Sequence, residues 1–186
     1  MPSPAGHFIA GVAIAWAAES FPPRRPGPQG SAWPSAPVHV VSPLVLACAA
    51  LALAPDLDIL LASHRTYTHS LGAVALVAAF SAAVARGLGA PAVATGLACG
   101  AAVGSHVALD WLGRDQSMPA GLMALWPFSS AFYYSGIDLF ADISRRYWNP
   151  GEFVFKNAVS IAREVSILGP VAGLAWWARR RQQGAG

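Results

Sequence analysis

The sequence predicts an all-α integral membrane protein: a helical bundle of about five transmembrane helices with an aromatic-rich interfacial segment before the last helix. The composition is 55% hydrophobic and 11% charged, and the mean hydropathy is +0.46, far from the averages of soluble proteins. Hydrophobic runs about as long as a bilayer core alternate with short polar breaks. We therefore treat residues 1–186 as a single membrane domain.

Five hydrophobic runs are the predicted spans. Four approach the roughly 20 residues that a helix needs to cross the hydrocarbon core, and they are residues 40–61, 70–86, 89–112 and 159–178. The first run, residues 8–19, is shorter, so it is either a tilted helix or one that is only partly inserted. A signal peptide is the alternative, because residues 15–17 read Ala-Trp-Ala, but no Lys or Arg precedes the run.

Two segments between the spans have distinct compositions. Residues 20–38 are rich in Pro, Gly and Ser, and proline at this density precludes a regular helix, so an extended loop is predicted. Residues 113–158 are rich in Phe, Tyr and Trp with interspersed charges, which is typical of the membrane interface. We interpret this second segment as a lid or an interfacial helix pair over one face of the bundle.

Charge and cysteine content argue against two classes of protein. The formal net charge of +3 comes from 12 Lys and Arg against 9 acids, an excess too small to predict nucleic-acid binding. Cys48 and Cys99 each lie in an apolar run, and they do not make a disulfide framework. Membrane lipid is the partner that the composition predicts, and no protein partner is identified.

Ionisable side chains in three places point to a functional site, because a charge within or near a bilayer is costly and usually marks function. They lie before the first span, around the end of the second and near the end of the fourth. In an antiparallel series of helices these places share one membrane face. The candidate ligands are His7, Asp56, Asp58, His64, His69, His106 and Asp110. His39, in the opposite loop, belongs to none of these groups and receives no role.

The chemistry of these groups favours a metal. His106 and Asp110 are spaced i, i+4, which places an imidazole and a carboxylate on one helix face, where they can share a metal or simply hydrogen-bond to each other. The group around the end of the second span holds two imidazoles and two carboxylates, the usual ligands of zinc and related ions. His7 alone would be an interface residue. We predict a divalent metal cofactor, with zinc as first choice.

Four motifs resemble, in this order, the LexA-binding, inner-membrane-associated metal-dependent hydrolase family. They are Pro55-Asp56-Leu57-Asp58, His64-Arg65 with Thr68-His69-Ser70, Ser105-His106 with Asp110, and Leu125-Trp126-Pro127-Phe128. The resemblance covers about residues 7–129, and it implies hydrolysis without naming a substrate. It also implies a metal site made of His7, Asp56 or Asp58, His64, His69, His106 and Asp110. No segment reads as a docking motif for LexA.

These observations predict a membrane-bound hydrolase that uses a metal-activated water on a lipid-linked or membrane-adjacent ester. A bound metal lowers the pKa of water from about 15.7 towards 7. A distant similarity to zinc-dependent phospholipases C and related nucleases favours a phosphoester. The candidate ligands outnumber the four of a structural zinc site, so either two ions bind or some residues orient others. The candidate catalytic residues are Asp110 and Arg65, and Arg65 is equally suited to bind a substrate anion or to anchor a headgroup.

The alternative is a non-catalytic membrane protein with a structural metal site or a role in ion or proton permeation. Ligands gathered at one face argue against a permeation path, which would line several depths of the bundle. The only further charges near the core are Arg163 and Glu164, at the start of the last span, and we expect them at the interface.

The predicted location is the inner membrane, with several spans. Threading five spans places six cations on each face. One face carries Arg24, Arg25, Arg86, Arg179, Arg180 and Arg181, and the other carries Arg65, Arg114, Arg145, Arg146, Lys156 and Arg163. Cations in short loops near helix ends carry more weight, which makes the face of Arg86 and residues 179–181 cytoplasmic. The site is therefore predicted on the extracytoplasmic face.

Overall fold

The computed structural model describes residues 1–21, 41–61, 64–116 and 118–184, and these residues form five α-helices and no strand. The helices are α1 Pro4–Ser20, α2 Pro43–Leu53, α3 Leu71–Gly87, α4 Ala92–Leu112 and α5 Pro150–Gly184. A 3₁₀ segment, Ala54–Leu61, extends α2, and another, Tyr67–His69, precedes α3. The all-α prediction is confirmed. His39, Arg24, Arg25 and most of the predicted loop 20–38 lie outside the described residues.

Serine and proline define where the first three helices begin. The hydroxyls of Ser3, Ser42 and Ser70 accept hydrogen bonds from first-turn N–H groups of α1, α2 and α3, at 3.3, 3.1 and 3.1 Å. Pro4 and Pro43 occupy the first helical position, where the missing N–H costs nothing. These signals extend α1 towards the N-terminus beyond the predicted run 8–19.

Small residues let the helices approach closely around α4, which contacts α1, α2 and α3. A Cβ on Gly11 of α1 would lie 2.6 Å from the main-chain oxygen of Cys48 on α2. A Cβ on Gly96 of α4 would lie 2.6 Å from the main-chain oxygen of Ala78 on α3. Glycine at such contacts is typical of membrane helices, where association depends on close packing.

Three of the helical stretches are long and apolar enough to cross a membrane: Pro43–Leu60, Ala92–Leu112 and Pro150–Gln182. α1 and α3 have 17 residues each. A helix of that length rises about 26 Å, less than the roughly 30 Å of a hydrocarbon core. Many bulky apolar side chains on α3 and α5 are exposed, as a lipid-facing surface requires. Length and composition thus support three of the five predicted spans.

Of the two interpretations of residues 113–158, a lid or an interfacial helix pair, the helix pair is wrong. The described residues between α4 and α5 form irregular chain with two isolated bridges and no helix. Pro119, Pro127 and Gly121, whose φ is +94°, interrupt any regular helix. The last helix begins at Pro150, earlier than the predicted residue 159, so the final part of the predicted interfacial segment belongs to α5.

This irregular segment crosses the end of the bundle at which α3 begins. The N–H of Leu71 donates to the main-chain oxygen of Ala124 at 2.8 Å, and the N–H of Met123 donates to that of Arg65 at 3.0 Å. The segment therefore packs on the turn that carries His64 and His69. This end of the bundle also holds the start of α1 and the end of α4, so the antiparallel order brings the three ionisable groups together.

Candidate metal centre

α4 contributes His106 and Asp110 to the centre. Both side chains point into the bundle, and neither residue is more than 2% exposed. His106 Nε2 lies 3.3 Å from Asp110 Oδ2. On the other side of the ring, His106 Nδ1 lies 2.7 Å from the main-chain oxygen of Ala52. Because a carbonyl oxygen can only accept, Nδ1 donates, and Nε2 of the neutral ring presents its lone pair to the site.

His69 enters the same space from the 3₁₀ segment before α3. Its Nδ1 faces Asp58 Oδ2 at 3.1 Å and Thr68 Oγ1 at 3.0 Å, so this nitrogen donates. Its Nε2 lies 3.1 Å from His106 Nε2. Two lone pairs at this distance repel each other. The two imidazoles therefore require a positive charge between or beside them, either a shared proton or a metal cation.

Two carboxylates complete a four-residue group with these imidazoles. Asp110 Oδ2 is 3.4 Å from His69 Nε2, and Asp56 Oδ1 is 3.7 Å from Nε2 of both His69 and His106. One ligand atom from each residue lies within 4.8 Å of the other three. This donor set fits zinc or a related divalent ion. The Asp56 side chain is 34% exposed, so the group opens outward on its side.

Asp58 and His64 form a second group, which shares His69. Both oxygens of the buried Asp58 have partners. His64 Nδ1 lies 2.7 Å from Oδ1, while the Thr68 hydroxyl and the main-chain N–H of Arg65 donate to Oδ2 at 2.5 and 3.2 Å. A carboxylate with these contacts is suited to orienting the two imidazoles. Among the described residues, His64 Nε2 has no hydrogen-bond partner.

His7 closes the centre from α1. Its ring stacks on that of His106, with the centroids 3.8 Å apart and the planes at 20°. His7 Nε2 lies 3.4 Å from Asp110 Oδ1. Within the described part of the chain, the ring nitrogens of the buried His7 and both Asp110 oxygens lack hydrogen-bond partners. Unpaired buried polar atoms are costly, and a cation with its bound water fits them.

The structure thus brings six of the seven candidate ligands into two adjoining groups at one end of the bundle, and the seventh, His7, lies against Asp110 and His106. A comparison over the whole chain identifies the family. Residues 1–182 match the YdjM inner membrane protein family. This chain belongs to that family. Comparisons with curated proteins and with solved structures found no match.

Membership of the YdjM family confirms the membrane location that the composition predicted. The family description names a location and no activity, metal or partner. The hydrolase and LexA-binding parts of the resemblance therefore stay predictions, as do the metal-ligand roles.

The guanidinium of Arg65 is already paired in this YdjM family protein. It contacts the carboxylate of Asp115, which also accepts from the main-chain N–H of Gly121 at 2.8 Å. Arg65 is buried and has φ +68°, a conformation that non-glycine residues seldom adopt. Arg65 thus ties the histidine-bearing turn to the irregular segment. The sequence assigned no role to Asp115, because the two partners are separated by 50 residues and no local pattern relates them.

Glu164 lies in the bundle, which corrects the expectation that it faces the interface. It is fully buried, and its carboxylate accepts from the main-chain N–H of Ser3 at 2.7 Å and from the Ser3 hydroxyl. Arg163 beside it is exposed and donates to the main-chain oxygen of Asp138. Glu164 therefore holds the start of α1, one turn before His7. An acidic residue within an apolar run was the signal that could have identified it.

A further ion pair lies beside the centre, between the irregular segment and α5. The ammonium of Lys156 donates to Asp142 Oδ2 at 2.6 Å. Burial alone would raise the pKa of Asp142, but the hydrogen bond from Lys156 outweighs it and holds the pKa below its ordinary value of 3.8. Asp142 is therefore ionised and already neutralised by its partner near pH 7.

Proposed function

We propose that this chain is a membrane-bound metal-dependent hydrolase that acts on a lipid-linked or membrane-adjacent ester, with a phosphoester favoured. One observation carries the proposal: two histidine Nε2 atoms face each other at 3.1 Å, and two carboxylates converge on the same point. A shared proton would satisfy the imidazoles alone. It would leave both Asp110 oxygens and the ring nitrogens of His7 unpaired. A cation bound by Asp110 Oδ2, together with its water, would offer partners to Asp110 Oδ1 and to His7 Nε2, which lie 3.4 Å apart.

The roles follow from the partners that each side chain already has. The ligand atoms come from two imidazoles and two carboxylates, those of His69, His106, Asp56 and Asp110. The Nδ1 atoms of the two imidazoles contact Asp58 and the main-chain oxygen of Ala52, which fixes the orientation of the rings. Asp58 acts as the orienting carboxylate, because both of its oxygens already accept hydrogen bonds.

A divalent ion held by these residues would supply a water of near-neutral pKa as the nucleophile. Asp110, through the oxygen 3.4 Å from His7, is placed to hold a proton of that water while His7 packs over the His106 ring. In the proposed reaction the water oxygen would bond to phosphorus while the bond from phosphorus to the ester oxygen breaks. The ester oxygen would leave with the proton that Asp110 had taken from the water. Arg65 supports this site by fixing the turn. A direct contact with substrate would require its separation from Asp115.

The first test is metal content. Protein purified in detergent should hold one or two divalent ions per chain, and His69→Ala and His106→Ala should each reduce that content in elemental analysis. His39→Ala, which changes a histidine of the opposite predicted loop, is the matched control and should leave it unchanged. Full metal content in both site variants would overturn the centre.

The second test is turnover. Asp110→Asn should abolish chelator-sensitive hydrolysis of a phosphodiester in protein that still inserts into membranes. Glu152→Gln, which changes a partly exposed carboxylate of α5, is the control and should not do so. Metal without any turnover would favour the second candidate, a structural metal site. Full burial of His7, His69 and His106 favours that candidate, because it limits access to the centre.

We also propose a multi-pass arrangement with the centre on the extracytoplasmic face. The ion pair between Arg179 Nε and Glu19 Oε2, at 2.5 Å, supports the common placement of the α1 and α5 ends at the far end of the bundle. Compartment-sensitive reporters fused after Arg181 and within residues 113–120 test it. A cytoplasmic signal from the second fusion would reverse the topology. LexA binding is testable with the purified proteins, and nothing in the geometry bears on it.

A further inference from the structure

Two cavities adjoin each other beside the candidate metal centre, and they share Ile143 and Arg145. The first has a volume of about 540 Å³ and reaches the centre through His64 and Arg65. The second has a volume of about 510 Å³ and lies against the start of α1 and the first turns of α5. The two cavities are therefore neighbours, one beside the centre and the other beside α1 and α5.

The first cavity has an excess of positive charge. Its two carboxylates are each paired with a cation, Asp115 with Arg65, which also lines this cavity, and Asp142 with Lys156. Two further guanidiniums line it, those of Arg114 and Arg145. No ion pair of Arg145 is found among the described residues.

The single ion pair found for Arg114 in the described chain is a loose one. Its Nε lies 3.8 Å from Asp138 Oδ2, and the two side chains are 52% and 42% exposed, so solvent weakens this contact. With the Gln116 amide turned so that its oxygen faces Arg114, that oxygen accepts from Nη2 and Nε at 3.1 and 3.2 Å. The guanidinium is thereby held in place with capacity left for an anion. Arginine forks of this kind match phosphate geometry.

The second cavity differs in character, because apolar and aromatic side chains form much of its wall. They include Pro4, Tyr147, Phe153 and Ile161 together with the shared Ile143. Phe153 and Ile161 belong to α5, one of the helices long and apolar enough to cross the membrane. A hydrocarbon chain in this cavity would thus lie along the first turns of a helix that is long and apolar enough to cross the membrane.

We propose that the two cavities bind one amphiphile, a phosphoester lipid whose phosphate lies between Arg114 and Arg145 and whose hydrocarbon chain lies in the apolar cavity. The proposal names the substrate class of the hydrolase proposed above and rests on it for the reaction, but the binding step can be measured by itself. The phosphate would lie next to His64, whose ring also contacts Asp58 at 2.7 Å, and hence next to the metal centre.

The test is a calorimetric titration of the full chain, treated with a chelator, in a neutral detergent. Three probes separate the two parts of the ligand: dihexanoyl phosphatidate, dihexanoylglycerol without the phosphate, and glycerol 3-phosphate without the chains. Phosphatidate should bind most tightly, and its affinity should rise with chain length as methylenes are buried. Glycerol 3-phosphate binding as tightly as phosphatidate would refute the lipid and identify a soluble phosphoester as the ligand class.

Arginine variants test the phosphate position. Arg114→Gln and Arg145→Gln should each weaken phosphatidate binding by about tenfold, the loss expected for one charge-assisted hydrogen bond. Arg86→Gln, an exposed arginine at the far end of α3, is the matched control and should bind as the wild type does. Unchanged affinity in both cavity variants would overturn the proposal.

The two proposals fail separately in these experiments. Arginine-dependent phosphatidate binding without turnover in the metal-loaded protein would refute the hydrolase and leave the lipid site standing. Metal-dependent turnover of a phosphodiester, together with unchanged binding in both cavity variants, would refute the lipid site and leave the hydrolase standing.

Discussion

Glu164→Ala should detach the start of α1 from α5 and displace His7. The carboxylate accepts two buried hydrogen bonds from Ser3, one of them at 2.7 Å. Hydrogen bonds to a charged group contribute roughly 1.5–3 kcal/mol each. The lost hydrogen-bond energy is partly offset, because the variant no longer has to bury a charged carboxylate. We therefore expect the free energy of unfolding to fall by about 2–3 kcal/mol.

The matched control for this prediction lies on the same helix. Glu152 pairs with Arg146 at 3.4 Å on the exposed surface, where such pairs contribute about 0–1 kcal/mol. Unfolding in mixed micelles, followed by circular dichroism, compares Glu152→Ala with Glu164→Ala. Glu164→Gln should fall between wild type and Glu164→Ala, because an amide oxygen can still accept from the Ser3 N–H. Equal stability of the two alanine variants would refute a structural role for the buried carboxylate.

Three further predictions concern packing and charge. Gly11→Ala should destabilise the protein by about 1–3 kcal/mol, because the added methyl meets a main-chain oxygen of α2 at 2.6 Å; Gly104→Ala, with only ordinary contacts, should be neutral or slightly stabilising in the same unfolding assay. Asp142→Asn should remove stability that is present above pH 3.8 and lost as pH falls below it, since the folded pKa of Asp142 is lowered by Lys156. A difference in melting temperature between wild type and variant that stays constant from pH 7 to pH 3 would contradict this. Arg179→Gln should cost about 3–5 kcal/mol, because it leaves a carboxylate of α1 without its ion-pair partner, and an unchanged melting temperature would contradict it.

The helices could be predicted because a long apolar run in a membrane must fold as a helix, in which the main-chain N–H and C=O groups pair with one another. The predicted run 70–86 and the observed Leu71–Gly87 agree closely for this reason. The irregular segment between α4 and α5 could not be predicted in the same way. Its aromatic content resembles that of an interfacial helix, whereas its path is determined by prolines, glycines and hydrogen bonds to distant turns.

The grouping of the site residues was predictable from topology, and their individual contacts were not. Antiparallel order alone places His7, Asp56 and His106 at one end of the bundle. The difference between Asp56 and Asp58 depends on which oxygens are already occupied, and that is a property of the folded turn. The contact between Ser3 and Glu164 joins residues 161 positions apart, so no sequence window contains both.

The centre lies at the ends of the helices because ionisable side chains lose hydration when they are buried in a membrane protein. Imidazoles and carboxylates in the middle of a bilayer would each lose hydration, whereas helix ends place them where turns and caps can offer hydrogen bonds. His69 and Asp58 use this possibility, since both lie in or beside 3₁₀ segments and exchange contacts with Thr68. The ring of His7 and the carboxylate of Asp110, by contrast, have no hydrogen-bond partner in the described chain. Their unpaired atoms are adjacent to the paired histidines, so one bound cation with its water would offset both the repulsion between the two Nε2 atoms and the burial of those unpaired groups.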